Sequence, residues 1–195
     1  MFKQIYDQIV IQSIQLNRDY KIFKQLFTAS EERITLLNNV APGYFRVTQD
    51  LLIGSVFLSI CRLTDPIKSA GKKNLSFDRL FSEISDKISK SKLTKLEKLL
   101  KGIKEKSQPI RDYRNKRLSH TDLEDALKLS SKIGPIPRNL VDELINDINN
   151  IFETLAADYE GAHYFTPDVS FQGDAEDLIF FLEKGIDASR NTKIC

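Results

Sequence analysis

A chain of 195 residues with 41% hydrophobic and 29% charged side chains is long enough to bury one proper core, and its mix excludes disordered, collagenous and low-complexity classes. The two cysteines, Cys61 in an apolar run and Cys195 at the end, exclude a disulfide framework and a cysteine-based zinc cluster, and suit a reducing, cytoplasmic compartment. The formal net charge of +2 hides a strong asymmetry: residues 87–117 hold twelve Lys/Arg against three Asp/Glu, whereas residues 142–187 hold twelve Asp/Glu against one Lys. Such a split suits either a polyanion-facing side with an opposite acidic side, or two solvated faces that partly neutralise each other.

The first helix is expected from about Phe2 to Leu26, with Ile5, Ile9, Leu16, Tyr20 and Phe23 at mainly helical spacing. Thr28 with Glu31 three residues on has the form of a capping box and starts a second, shorter helix. Pro42-Gly43 breaks the chain. A third helix, about Gly43 to Leu63, is apolar on several sides and belongs in the middle of a bundle. Its most apolar run, Leu51 to Cys61, is too short to cross a bilayer. No basic n-region and apolar h-region follow Met1, so no secretory signal and no membrane association are expected.

The third helix stops at Thr64-Asp65-Pro66, because the residue before proline is pushed out of the helical region. Ile67 to Asn74 is a basic loop containing Gly71. Ser76 can cap a fourth helix that runs to about Ile88. A long helical segment follows from about Ser91 to Ser119, kinked or restarted at Pro109 with Ser107 as its cap. Asp122 to Ser130 suits a short helix, and Gly134-Pro135-Ile136-Pro137 is a connector. Arg138 to Tyr159 carries the clearest amphipathic stripe: Val141, Leu144, Ile145, Ile148, Ile151, Phe152 and Leu155. A loop, Gly161 to Gly173, leads to a last helix from Ala175 to Ile186. No alternating strand pattern of useful length is present, so the fold class is all-α, a bundle of five to seven helices over residues 1–160 with an acidic helical appendage over 161–195.

Two histidines bear on chemistry. His163 sits in a loop with no nucleophile or metal-like partner nearby and reads as structural or solvent-exposed. His120 closes a basic run that begins at Arg111. Upstream of it, Leu96, Leu100, Ile103, Ser107 and Ile110 form one stripe, and Arg114 continues that stripe. A guanidinium there costs free energy unless it is paired or binds an anion. Two readings fit: an arginine paired with a core carboxylate or snorkelling outward, and an anion site.

Arg114-Asn115 followed by His120 resembles the Arg–x4–6–His motif of the HEPN superfamily. The wider pattern Arg62-Leu63-Thr64-Asp65-Pro66, Asn74-Leu75-Ser76-Phe77 and Tyr113-Arg114-Asn115-Lys116 to His120 is similar to its AbiU2-like branch, associated with abortive-infection defence. The resemblance covers about residues 1–160. It departs from the nucleotidyltransferase-paired toxins, which carry Tyr two positions after the His where this chain has Asp122. What the resemblance implies is a HEPN-like bundle and metal-independent RNA cleavage without a cofactor: the ribose 2′-OH attacks the adjacent phosphorus and leaves a 2′,3′-cyclic phosphate.

His120 would carry the proton, Arg114 would meet the developing negative charge, and Asn115 would orient His120 or touch phosphate. Arg111, Arg117 and Lys116 are candidate RNA contacts, as is the basic run from Lys90 to Lys106. Residues six apart on one straight helix point about 120° apart, so Arg114 and His120 converge only if the helix ends near Leu118 or two subunits meet. The resemblance implies a homodimer for that second case. An antitoxin protein is a further possible partner. The competing readings are a non-catalytic HEPN module and a helical interaction protein that binds RNA or another protein.

Overall fold

The computed structural model describes residues 2–119, 134–156 and 172–192. The expected helix over 122–130, His120 and His163 lie outside the described residues.

Helix α1, Phe2–Phe27, buries Tyr6, Ile9, Ser13, Leu16 and Tyr20 along one stripe. Helix α2, Glu31–Val40, starts two residues later than a Thr28 cap would place it. Its cap is Ser30, whose extended backbone frees the hydroxyl to accept from the Arg33 amide at 3.2 Å; Thr28 instead donates back to the Lys24 carbonyl. Helix α3, Pro42–Thr64, begins with proline in its first turn, where a missing N–H costs nothing.

Helix α3 runs antiparallel to α1. Asp19 meets Ser55 near the middle, at 2.6 Å, and Leu26 packs with Phe45 near one end. At 23 residues α3 is longer than its apolar run alone and reaches the length and hydropathy of a membrane span. It nevertheless packs Val56, Phe57, Ile60, Cys61 and Leu63 into the same core as α1. The expectation of burial on several sides fails for its first half, where Tyr44, Val47 and Leu51 stand 66%, 58% and 69% exposed.

Beyond Pro66 the chain makes a two-stranded antiparallel hairpin, β1 Lys68–Ser69 with β2 Lys72–Lys73. This corrects the expectation of a plain loop. The turn residues Ala70 and Gly71 both have positive φ, 46° and 76°, as a two-residue turn of the primed type demands.

Helix α4, Phe77–Ile84, ends before the expected Ile88. Ser76 stands at its cap position without a capping hydrogen bond. Helix α5, Lys90–Lys106, is capped instead by Ser89, whose hydroxyl accepts from Lys92 N at 3.3 Å. Pro109 does divide this segment, and α6, Gln108–Tyr113, follows. Ser107 makes no side-chain cap; its hydroxyl donates to the Lys104 carbonyl at 3.1 Å. A π-helical turn, Arg114–Ser119, ends this stretch.

Helix α7, Arg138–Ala156, drives its apolar stripe into the core, where Phe152 lies against Tyr6 and Phe77. Asn17 and Asn149 exchange amide hydrogen bonds at 3.0 Å across α1 and α7, so the buried Asn149 amide and the half-buried Asn17 amide satisfy each other. Helix α8, Ala175–Thr192, extends past the expected Ile186 and docks on α1 and α2. Ala175 and Ile179 join Leu26, Leu37 and Phe45 in a second small cluster, and Arg33 grips Glu176 through two bonds of 2.7 and 2.9 Å.

Candidate functional site

The site is built where α3 ends. Pro66 forces Asp65 into extended backbone, with φ −66° and ψ 150°, so its carboxylate leaves the helix at the C-terminal end. That end already carries partial negative charge from the unpaired carbonyls, so a carboxylate there needs cations. Two arrive from a single turn of α6 and its extension. Arg111 Nη1 donates to Asp65 Oδ1 through a short contact, and Arg111 Nη2 donates to Thr64 Oγ1 at 2.7 Å. Thr64 is itself fixed, since its hydroxyl donates to the Ile60 carbonyl at 2.8 Å. Arg114 Nη1 reaches the same Asp65 oxygen at 3.4 Å.

The π-helical turn starts at Arg114; such turns are rare and concentrate at functional sites. Asn115 Oδ1 accepts from both Arg114 Nε, at 3.1 Å, and Arg114 Nη2, at 2.9 Å. A guanidinium has five N–H donors, so three are engaged and two stay available among the described residues. The side chains of Arg111, Arg114 and Asp65 are 18%, 21% and 21% exposed. Two guanidiniums therefore share one carboxylate oxygen in a partly dry place, leaving about one unit of positive charge uncompensated among the described residues.

Beneath them the site is apolar. Tyr113 sets its ring edge-on to Phe57, with centroids 5.4 Å apart, and Arg117 lies over the Tyr113 ring at 5.5 Å. Cys61, one turn before Asp65, is buried, and burial pushes its thiol pKa up against the pull of Arg114 and Arg111. A thiol held protonated in this way is a poor nucleophile, so Cys61 acts as filler.

Of the residues singled out from the sequence, the structure brings Arg111 and Arg114 together on Asp65, with Asn115 bonded to Arg114. Arg117 stands beside them through Tyr113. Lys116 is half-buried and forms no ion pair among the described residues. Arg111 sits in the site as the inner clamp on Asp65 and Thr64 rather than as a free surface cation, and Asn115 faces Arg114. The Lys90–Lys106 run is partly spent elsewhere: Lys104 pairs with Asp78 at 2.6 Å and Lys106 with Asp147 at 2.9 Å.

Sequence reasoning did not single out Asp65 as the partner of Arg111 and Arg114. Its local signals were the helix stop before Pro66 and its place in the Arg62–Pro66 pattern, and its partners lie 46 and 49 positions further on. A family model described as HEPN_AbiU2, AbiU2, matches residues 1–178. Neither the comparison with curated proteins nor that with solved structures found a match.

Proposed function

Since the chain belongs to the AbiU2 family of HEPN proteins, we propose that it is a metal-independent endoribonuclease of antiviral defence or toxin type, working in the cytoplasm on RNA. The observation that carries this reading is the pair of guanidiniums at the end of α3, where Arg111 and Arg114 share the single carboxylate of Asp65 among the described residues. A dianionic phosphorane needs a fixed cation that does not have to reorganise during the reaction. Arg114 is held from two sides, by Asn115 and by Asp65, and has two N–H donors without a partner among the described residues, which suit phosphate oxygens.

In this reading the 2′-OH loses its proton to His120 and attacks the adjacent phosphorus. The P–O5′ bond breaks, a proton reaches the departing 5′ oxygen, and a 2′,3′-cyclic phosphate remains. Arg114 neutralises the charge that builds on the non-bridging oxygens. Asn115 keeps the guanidinium plane aimed, and Arg117 and Lys116 meet neighbouring phosphates.

A homodimer belongs to the same proposal. Ile11 and Ile14 on α1, and Tyr44, Val47 and Leu51 on the first half of α3, are exposed apolar side chains on the antiparallel α1–α3 pair. A second copy packed about a dyad would bury such side chains.

One observation favours the competing reading of a helical binding module: Arg114 is paired with a carboxylate, as a purely structural arginine would be. Incubation with mixed RNAs, with and without EDTA, separates the two. The ribonuclease reading expects cleavage in both, and a binding module expects intact RNA in both.

A further inference from the structure

Three residues after Asp65 the chain enters the β1–β2 hairpin, whose six residues, 68 to 73, are all exposed. Three of them are Lys68, Lys72 and Lys73, and none forms an ion pair among the described residues. Three extended residues span at most about 11 Å, so Lys68 starts close to the Asp65–Arg114 pair.

The arm is stiff. Asn74 Nδ2 donates to the Pro66 carbonyl and to Ser69 Oγ, both at 2.8 Å, and the Asn74 amide donates to the Ile67 carbonyl at 2.9 Å, which ties the base shut. At the tip a Cβ added to Gly71 would meet nothing within 4 Å, so the turn stands clear of the bundle.

The register then matters. Lys68 faces Lys73 directly across the ladder, and Ser69 faces Lys72. Like charges directly opposite in a hairpin destabilise it. An anion between the two ammonium groups would relieve that repulsion.

We propose that this hairpin is an arm that grips the phosphate backbone of the RNA strand entering the Arg114 site, with the Lys68–Lys73 pair on one phosphate or two successive ones. It rests on the ribonuclease reading above. The tip, Ala70-Gly71, offers no large apolar side chain to sink into a bilayer, which favours a nucleic acid over a lipid surface.

The test is the salt dependence of binding of a labelled single-stranded RNA to the His120→Ala chain, which leaves the strand intact, from 50 to 200 mM salt by fluorescence anisotropy. Each phosphate neutralised on a single strand contributes about 0.7 to the slope of log K against log salt. Lys68→Gln with Lys73→Gln in that background should lower the slope by about 1.4, so the fourfold rise in salt costs the parent about sevenfold more affinity than the variant. Lys68→Arg with Lys73→Arg should keep the parent slope. Arg46→Gln with Lys184→Gln removes the same charge from the second turn of α3 and from α8, and should also keep it.

An unchanged slope in the Gln pair, or an equal loss in the Arg46/Lys184 pair, overturns the hairpin assignment while RNA binding itself stands. No RNA binding by the parent overturns both the assignment and the ribonuclease reading. Hairpin-dependent binding to anionic phospholipid vesicles, with none to RNA, overturns the assignment in favour of a membrane contact.

Discussion

Asp65→Ala removes the carboxylate that holds Arg111 and Arg114 without touching either arginine. Two charge-assisted hydrogen bonds to the same oxygen are lost. Each such bond contributes about 1.5–3 kcal/mol in general. All three side chains are about a fifth exposed and Arg114 sits at the longer distance, so solvent screening brings the sum down to about 2 kcal/mol. An unfolding entropy of about 2.1 cal/mol/K per residue makes that a fall of about 5 °C in Tm. Asp65→Asn keeps an acceptor oxygen in place and should lose about half as much.

The kinetic signature is sharper. Arg114 loses one of its two anchors, and misplacing a catalytic group by about 1 Å can cost 10²-fold, so kcat should drop about tenfold or more. Removing a negative charge beside a polyanion cannot weaken its binding through charge, so KM should hold or fall. Differential scanning calorimetry and steady-state cleavage of one labelled RNA read both effects. A raised KM with unchanged kcat, or unchanged Tm and kcat together, would refute the positioning role.

Tyr20→Phe tests the α1–α7 contact. The Tyr20 hydroxyl donates to Asp142 at 2.7 Å, and burial followed by that bond raises its pKa above the ordinary phenol value. The folded state therefore keeps the proton longer than the unfolded state. The contribution is full below about pH 10 and is lost as pH rises above it. In urea unfolding the wild-type advantage over Tyr20→Phe, about 1 kcal/mol at pH 8, should shrink by pH 11. Phe152→Ala opens the core under Tyr6 and Phe77 and should cost about 3–5 kcal/mol by the same assay. Arg33→Ala cuts the clamp on Glu176, so the amides of α8 should exchange about fivefold faster while those of α1 hold their rate, as hydrogen-exchange mass spectrometry would show.

The helices were legible wherever period and burial agree. The α7 stripe from Val141 to Leu155 is buried as its spacing required, and Pro66 and Pro109 marked real boundaries. Caps were less legible, because Ser, Thr and Asp compete for the same short turns. Ser30 caps where Thr28 was expected, and Ser89 caps while Ser76 and Ser107 do not. The hairpin was hidden because two-residue strands carry no alternation, and its turn uses Ala70 where Asn or Gly would have signalled one.

In the site, Arg114 was legible as a cation in an apolar stripe. Its partner was not, since Asp65 joins it only through the packing of α6 against the end of α3. The exposed face at Tyr44, Val47 and Leu51 was misread as core because apolar content alone does not separate a buried side from an unpartnered one.

The most direct test of the central claim is cleavage of a single-stranded RNA by the wild-type chain, by Arg114→Ala and by His120→Ala, in EDTA, with the product ends analysed. The account predicts 2′,3′-cyclic phosphate ends from the wild type and a loss of about 10²- to 10³-fold in each variant, with the fold retained by circular dichroism. His163→Ala, run beside them, should cleave like the wild type. Full activity in His120→Ala or Arg114→Ala, or wild-type activity that vanishes with EDTA, would contradict it.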